Sequence, residues 1–382
     1  MTATPYQDVV ERAGITYFPP RRAPDRNFNQ LDQALPGINQ VPRWEQVVRT
    51  FYLAPLQDAA QQGYDLVESA VGWQASLLIN DGITLGIPLA ASLLQLPWAS
   101  ISPFPYALLP DPAIPPPHFG LPYHPAATSL YRLVYRALAL RLAAGEQRWR
   151  ALATAWKLPP QRDHLLDAAL SPQLIAYPGT FSLEYPRAQQ LPHVIPVGPL
   201  TLPVHATPSK VSFSGHIVVT EGTTHRDTKL LRLVVNALWN SQYPVVLIAA
   251  DTTFSTTHLP PHIRAVDYIP YTTALEQAIL FVTNGGAGSI TAALQASVPL
   301  VISPAALDKF ETARRVHWAG LGRAVADVSH CTIEALRAGV LSVVTEPRYR
   351  QRVQAIRTES AKLGGAQRLA FLLEQLASHA GP

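Results

Sequence analysis

The chain has 382 residues, 48% hydrophobic and 15% charged, which is long enough for two domains with separate cores and too apolar for a disordered chain. A formal net charge of +4, with basic residues scattered rather than gathered into a basic and aromatic stripe, argues against a nucleic-acid partner. One cysteine, Cys331, excludes an intrachain disulfide; together with the lack of a basic-then-apolar start after Met1, it sets the expectation of a cytoplasmic protein.

Read in chain order, the first half alternates extended and helical segments. Ile15–Phe18 reads as extended, Arg43 to about Gln61 as helix, Leu77–Ile79 as strand, Leu89–Leu96 as helix and Trp98–Ile101 as strand. The uncharged stretch from Gly82 to Pro110 approaches the length of a membrane span, about 20 apolar residues. Pro88, Pro97 and Pro103 break it into helix, strand and loop, so no stable span is expected. A proline-rich excursion follows from Pro110 to Pro122, then a long helix from Thr128 to Trp156, stopped by Pro159 and Pro160. Leu174–Tyr177 and Val194–Val197 read as strands, and Pro199 to Ser209 as a linker between a first domain, 1–202, and a second, 203–382. Strands in the second domain are expected at Ile217–Thr220, Val245–Ile248, Val266–Ile269, Leu280–Thr283 and Leu300–Ser303. Strand-helix alternation at this spacing predicts a doubly wound parallel sheet in each half, with ligands at the carboxyl ends of the strands in a cleft between the halves.

The segment Asn284-Gly285-Gly286-Ala287-Gly288-Ser289 carries the most chemistry. An apolar strand enters a loop with three glycines and a small-residue helix leaves it, so unhindered backbone N–H groups and a positive helix N-terminus converge on one spot suited to a diphosphate. A tight strand-to-helix turn kept for packing would look the same. The spacing from this loop to Asp308 also invites a dinucleotide-binding reading. However, Asp308 lies five residues beyond Ser303 instead of capping a second strand, and Thr291 stands at the third glycine position.

The stretch from Asn284 to Gly322, with Val298-Pro299-Leu300-Val301 and the pair Asp308-Lys309, resembles the UDP-glycosyltransferases that include macrolide, carotenoid and plant-product enzymes, in particular bacterial members with Asn-Gly-Gly and Asp-Lys. Supporting pieces are Glu221-Gly222-Thr223, Tyr268-Ile269-Pro270-Tyr271, Pro115-Pro116-Pro117-His118-Phe119-Gly120 and Val197-Gly198-Pro199-Leu200. The resemblance implies a GT-B fold: two Rossmann-like domains facing a cleft, the first binding an acceptor and the second a sugar donor, with the last helix packing back on the first domain.

It also implies roles residue by residue. Asn284, Gly285, Gly286, Ala287, Gly288 and Ser289 would hold the donor diphosphate, with Gly222 and Thr223 on the opposite wall. Tyr268, Pro270 and Tyr271 would receive the nucleotide base, a core position for the tyrosines being the alternative. Asp308 and Lys309 would bind sugar hydroxyls, although Asp308 also reads as a helix N-cap. Asp81 would orient a catalytic histidine, or else cap the helix after Gly82. No Asp-x-Asp pair is present, so the expectation is a UDP-sugar and a small-molecule acceptor with no metal and no other cofactor.

Members of this family open with a strand and a Gly-His loop that carries the base, and this chain starts with what corresponds to the segment after them. The first domain is therefore expected to be incomplete. The implied activity is inverting transfer of a hexose to a hydroxyl of a lipophilic molecule, the alternative being a nucleotide-sugar binder that has lost its base.

Overall fold

The computed structural model describes residues 2–27, 30–103, 109–159, 165, 167–187, 191–200, 214–222, 228–249 and 254–379. Thr223 and the 202/203 boundary lie outside the described residues, as does most of the expected linker.

Five helices come first: α1 (Gln7–Arg12), α2 (Leu31–Ala34), α3 (Arg43–Val48), α4 (Ala54–Gln57) and α5 (Ala59–Trp73). Then β1 (Leu78–Asn80), α6 (Gly86–Leu94), β2 (Trp98–Ile101), α7 (Thr128–Ala155), β3 (Leu174–Tyr177) and β4 (Val194–Pro196) complete a four-stranded parallel sheet in the order β1-β2-β3-β4. The second half runs β5 (Ile217–Thr220), α8 (Lys229–Leu238), β6 (Val245–Ile248), β7 (Ile263–Val266), α9 (Tyr271–Ala274), β8 (Leu280–Thr283), α10 (Ala287–Ala296), β9 (Leu300–Ile302), α11 (Lys309–Trp318) and β10 (Gly322–Ala324). It closes with α12 (Ile333–Thr345), α13 (Pro347–Ala361) and α14 (Gly365–His379).

The second sheet has the order β10-β9-β8-β5-β6-β7, all parallel. The chain winds outward from β5 on one side, returns, and winds outward from β8 on the other. The reversal point lies between β5 and β8, where Thr220 pairs in register with Thr283. Loops leaving those two threonines are therefore neighbours although more than sixty positions separate them. Central strands β5 and β8 are buried along their whole length because helices cover both faces of a parallel sheet, which is why they read as unbroken apolar runs. The apolar stripe of α8, with Leu230, Leu231, Val234 and Leu238, packs into one core with β5, β6 and α12.

Two sequence expectations are corrected. Ile15–Phe18 forms no strand: Ile15 is exposed, Phe18 meets the Trp73 ring edge-on at 5.6 Å, and Tyr17 Oη donates to the Thr2 carbonyl. Side chains thus tie this segment to α5 and the N-terminal turn. The strand expected at Val266–Ile269 lies three residues earlier, because it pairs residue for residue with Val245–Ile248 of β6 and ends where that partner ends. Short β10 went unread, since Gly322-Arg323-Ala324 has no β-forming residue; Gly322 pairs with Leu300 at the sheet edge. The stretch after Gly82 is α6 and β2, and among the described residues no helix is long and apolar enough to cross a membrane.

The two halves touch along α11, α13 and α14. Leu369 of α14 packs with Ala176 and Val197 of the first half. Thr180 and Ser182 donate to the Glu359 carboxylate on α13.

Candidate nucleotide-sugar site

At the reversal point of the second sheet, β5 delivers Glu221 and Gly222, and β8 delivers Asn284 to Ser289. Asn284 is buried and its Nδ2 donates to the Glu221 carbonyl, which ties the two loops together. Glu221 is buried as well, and its carboxylate accepts from the Thr228 and Leu230 amides at 3.0 Å each. Those are N-terminal groups of α8 that have no carbonyl within the helix, so one side chain satisfies two orphan donors and fixes the loop.

Gly285 is the residue this turn cannot replace. Its φ is +94°, and a Cβ there would stand 3.0 Å from Ile302 Cγ2 and 3.3 Å from the Lys309 carbonyl oxygen. Gly286 is the N-cap of α10; Ser289 Oγ donates to its carbonyl at 2.6 Å and accepts from Thr283 Oγ1 at 3.2 Å. The leading amides of α10, on Ala287 and Gly288, have no intrahelical acceptor and point out of the helix end. Gly288 is exposed and open space surrounds its missing Cβ. This arrangement can receive an anion through backbone N–H groups and the helix dipole.

Asp308 precedes α11, and its side chain makes no capping hydrogen bond, so the capping alternative fails. Its carboxyl is raised by desolvation, an effect Lys309 partly opposes. Lys309 itself is buried. Both residues line a cleft with a cavity volume of about 470 Å³, walled on its first-half side by Arg26, Phe51, Asp58 and Asp81. Arg26 Nε donates to Asp58 at 2.6 Å, which fixes one polar pair in a mixed wall where Leu31, Phe51 and Pro55 alternate with Asp25, Thr50 and Gln62.

Asp81 is exposed to that cleft. Its Oδ1 accepts from the amides of Ile83 and Thr84 and from Thr84 Oγ1, each at 3.0 Å, which braces a local turn; it caps no helix, since α6 starts at Gly86 with Leu85 as its N-cap. His118 is stacked on Phe51 at 3.9 Å and buried, and burial holds its imidazole down at about 3, which keeps it neutral.

Of the residues expected from sequence, Asp81, Asp308 and Lys309 meet at one cavity. The glycine loop stands behind it, joined through the contact of Gly285 with the Lys309 backbone. Ala287 instead lines a smaller cavity of about 50 Å³ shared with Pro103 and Tyr177. Tyr268 is 77% exposed, which removes the core reading, and Pro270 N-caps α9. Tyr271 is half-buried and meets Phe281 at 5.4 Å, as a core residue does. Gly222 sits against the Asn284 side chain on the opposite wall.

Sequence reasoning missed the groups that set this geometry: Glu221 as a cap, and the buried Glu184, Glu311 and Arg315. An i, i+4 Glu-Arg pair such as Glu311 and Arg315 normally lies on an exposed helix face, so its spacing carries no signal of burial.

Residues 234–376 match the family model for the C-terminal domain of erythromycin biosynthesis protein CIII-like proteins. The chain is 27% identical to 4'-demethylrebeccamycin synthase of Lentzea aerocolonigenes over 94% of its own length and 88% of that protein. It is 34% identical to oleandomycin glycosyltransferase of Streptomyces antibioticus over 30% of this chain and 27% of that one. Its fold is similar to that of the calicheamicin glycosyltransferase CalG4, with a TM-score of 0.75 and 17% identity over 100% of this chain and 91% of the other. It is also similar to Streptomyces sp. SF2575 glycosyltransferase SsfS6 complexed with thymidine diphosphate, with a TM-score of 0.64 and 18% identity over 98% and 90% of the two chains. With two parallel-sheet α/β domains and a glycine loop at the reversal point of the second, the chain has the GT-B fold, and in sequence it is similar to glycosyltransferases of the macrolide and antibiotic type.

Proposed function

We propose that the protein moves a hexose from a nucleoside diphosphate sugar, UDP-linked in the first instance, to a hydroxyl of a lipophilic small molecule with inversion at the anomeric carbon. The observation that carries this reading is the placement of Asp308 and Lys309, which line the same 470 Å³ cavity as Asp81 while Lys309 abuts the glycine loop. A donor whose diphosphate lies on the loop would present its sugar to that pair, and the apolar part of the first-half wall, with Leu31, Phe51 and Pro55, would receive the acceptor.

In this scheme the backbone amides of α10 and the helix dipole bind the diphosphate and stabilise the charge that develops on it as the glycosidic bond breaks. Asp308 accepts from sugar hydroxyls and Lys309 donates to them, fixing the ring in orientation. The acceptor hydroxyl would give its proton to a base oriented by Asp81, a position that no described histidine fills. Charge on the departing nucleotide is met without a divalent metal, and Tyr268 offers an exposed ring on which the base stacks.

A second reading has a specific observation behind it. Asp81 Oδ1 is engaged by three local donors, and no described histidine hydrogen-bonds it. A protein that holds a nucleotide sugar without transferring it would carry the same glycine loop.

Calorimetric titration with UDP and TDP, followed by a transfer assay with the matching glucose donors, tests both readings. Binding of either nucleotide with measurable transfer supports the enzyme, and binding without transfer to a panel of apolar alcohols supports the second reading. No binding of either nucleotide removes both. SsfS6 carries thymidine diphosphate, so the ratio of UDP to TDP affinity also fixes the nucleotide preference.

A further inference from the structure

Helix α11 does more than carry the sugar-facing pair at its start. Along its length it is gripped by three segments of the first half, the start of α3, the loop around Gly120 and the segment around Glu184. On Phe310, one residue beyond Lys309, the Arg43 guanidinium lies over the ring at 3.8 Å. Gly120, with φ +67°, packs so closely that a Cβ would stand 2.5 Å from Phe310 Cβ. One turn later Arg314 Nε donates to the Gly120 carbonyl at 3.2 Å.

Beside it Arg315 is buried. Its Nε donates to Glu311 at 3.0 Å on the same helix, and Nη1 donates to Glu184 of the first half. Its guanidinium also lies over the Tyr185 ring at 4.5 Å. In the last turn Trp318 meets Tyr185 at 5.3 Å. The side chains of Arg315, Glu184 and Glu311 are each no more than 3% exposed, so the connection is dry and has few alternative arrangements.

At its other end α11 touches the donor loop, where Gly285 packs on the Lys309 carbonyl. The helix is thus held between the diphosphate loop and the first half, with Asp308 and Lys309 at the junction. We infer that Glu184, Glu311 and Arg315 are positioning residues: by locking α11 to the first half they place Asp308 and Lys309 over the sugar, and so they govern recognition of the sugar but not of the nucleotide. The inference rests on the donor reading above.

The test separates sugar from nucleotide. Calorimetry with UDP and UDP-glucose, and in parallel TDP and TDP-glucose, gives the ratio of sugar-nucleotide to nucleotide affinity. Glu184→Gln is expected to lower that ratio roughly 3- to 30-fold and leave the nucleotide affinity itself unchanged. In an Asp308→Ala background the same substitution should have a smaller further effect, because only Lys309 remains for it to act through. An unchanged ratio in the otherwise native protein, or an equal fall in both backgrounds, overturns the inference.

Arg43→Ala guards against misfolding, since it removes the grip on Phe310 from the exposed side and leaves no buried charge unpaired. It should shift the ratio in the same direction by less, and no shift counts against the clamp. Hydrogen exchange of the intact protein without ligand supplies an independent reading. Glu184→Gln should speed exchange over Ala305–Thr312 and leave Phe281–Ser289 as it was. If neither nucleotide binds the native protein, the donor reading falls and exchange alone decides the clamp; unchanged exchange over Ala305–Thr312 overturns it.

Discussion

The donor loop, which stands behind Lys309, and the Asp81 corner, which shares the Lys309 cavity, are built in opposite ways. The donor loop is backbone architecture: buried Asn284 and Glu221 lock two neighbouring strand ends, and a single glycine with φ +94° lets the chain pass under Ile302 and Lys309. The Asp81 corner presents an exposed side chain on a local turn, and its cavity draws walls from several segments between Thr2 and Thr84 and from Leu307, Asp308 and Lys309 at the start of α11. A site made of backbone resists substitution everywhere except at the residue that makes the turn. One made of side chains gathered from distant segments depends on whatever keeps those segments together, here the buried contacts of α11.

The largest effect should come from breaking that hold. Arg315→Met leaves Glu184 and Glu311 buried without their shared cation and should cost roughly 3–5 kcal/mol of unfolding free energy, read by urea denaturation. A loss below about 1 kcal/mol would show that the halves are held mainly by the apolar contacts of α14.

Within the donor loop, Gly285→Val should cost about 2–4 kcal/mol, because it combines a left-handed backbone with a steric conflict, and should abolish nucleotide binding. Gly288→Val meets open space, so it should leave stability within about 0.5 kcal/mol and still lose the nucleotide-induced rise in melting temperature. Equal stability of the two variants would mean that the turn is not fixed by Gly285.

In the other corner, Asp81→Asn keeps an Oδ1 for the local turn, so folding and nucleotide affinity should hold. Turnover should fall roughly 10- to 100-fold if Asp81 supports the base. Unaltered turnover would reduce Asp81 to a turn former.

A smaller effect should appear in pH dependence. Burial, reinforced by the neighbouring Glu184, pushes the Glu311 carboxyl up to about 6 from a usual 4.5, although Arg315 pulls the other way. Its folded value lies above its unfolded one, so between them the folded state binds more protons and stability should fall as pH rises from about 4.5 through about 6. Glu311→Gln should flatten that slope, as measured by denaturation at a series of pH values. Last, any transfer activity should be unchanged by excess EDTA, and restoration by magnesium of a lost activity would contradict the role given to the helix dipole.

Much of the fold was legible in the sequence. The buried parallel strands β2, β3, β5, β6 and β8 fall on the apolar runs expected, since strands covered on both faces leave few polar residues among them, here Ser100, Thr220 and Thr283. The diphosphate loop was legible too, because glycines at a strand-to-helix turn are a local requirement of backbone geometry. The strand expected at Ile15–Phe18 was not formed, as side-chain ties to α5 and the N-terminal turn outweighed β propensity.

By itself, then, the sequence determined two parallel sheets, the turn that Gly285 makes and the polar pair at Asp308 and Lys309. The tertiary structure decided that Asp81 and that pair face one cavity, that Tyr268 is exposed while Tyr271 packs on Phe281, and that Arg315 is buried between two carboxylates from different halves. The division follows from range. Turn geometry and strand burial are written in consecutive residues, whereas the desolvation and pairing of a charge depend on partners more than a hundred positions away, which only the folded chain brings into contact.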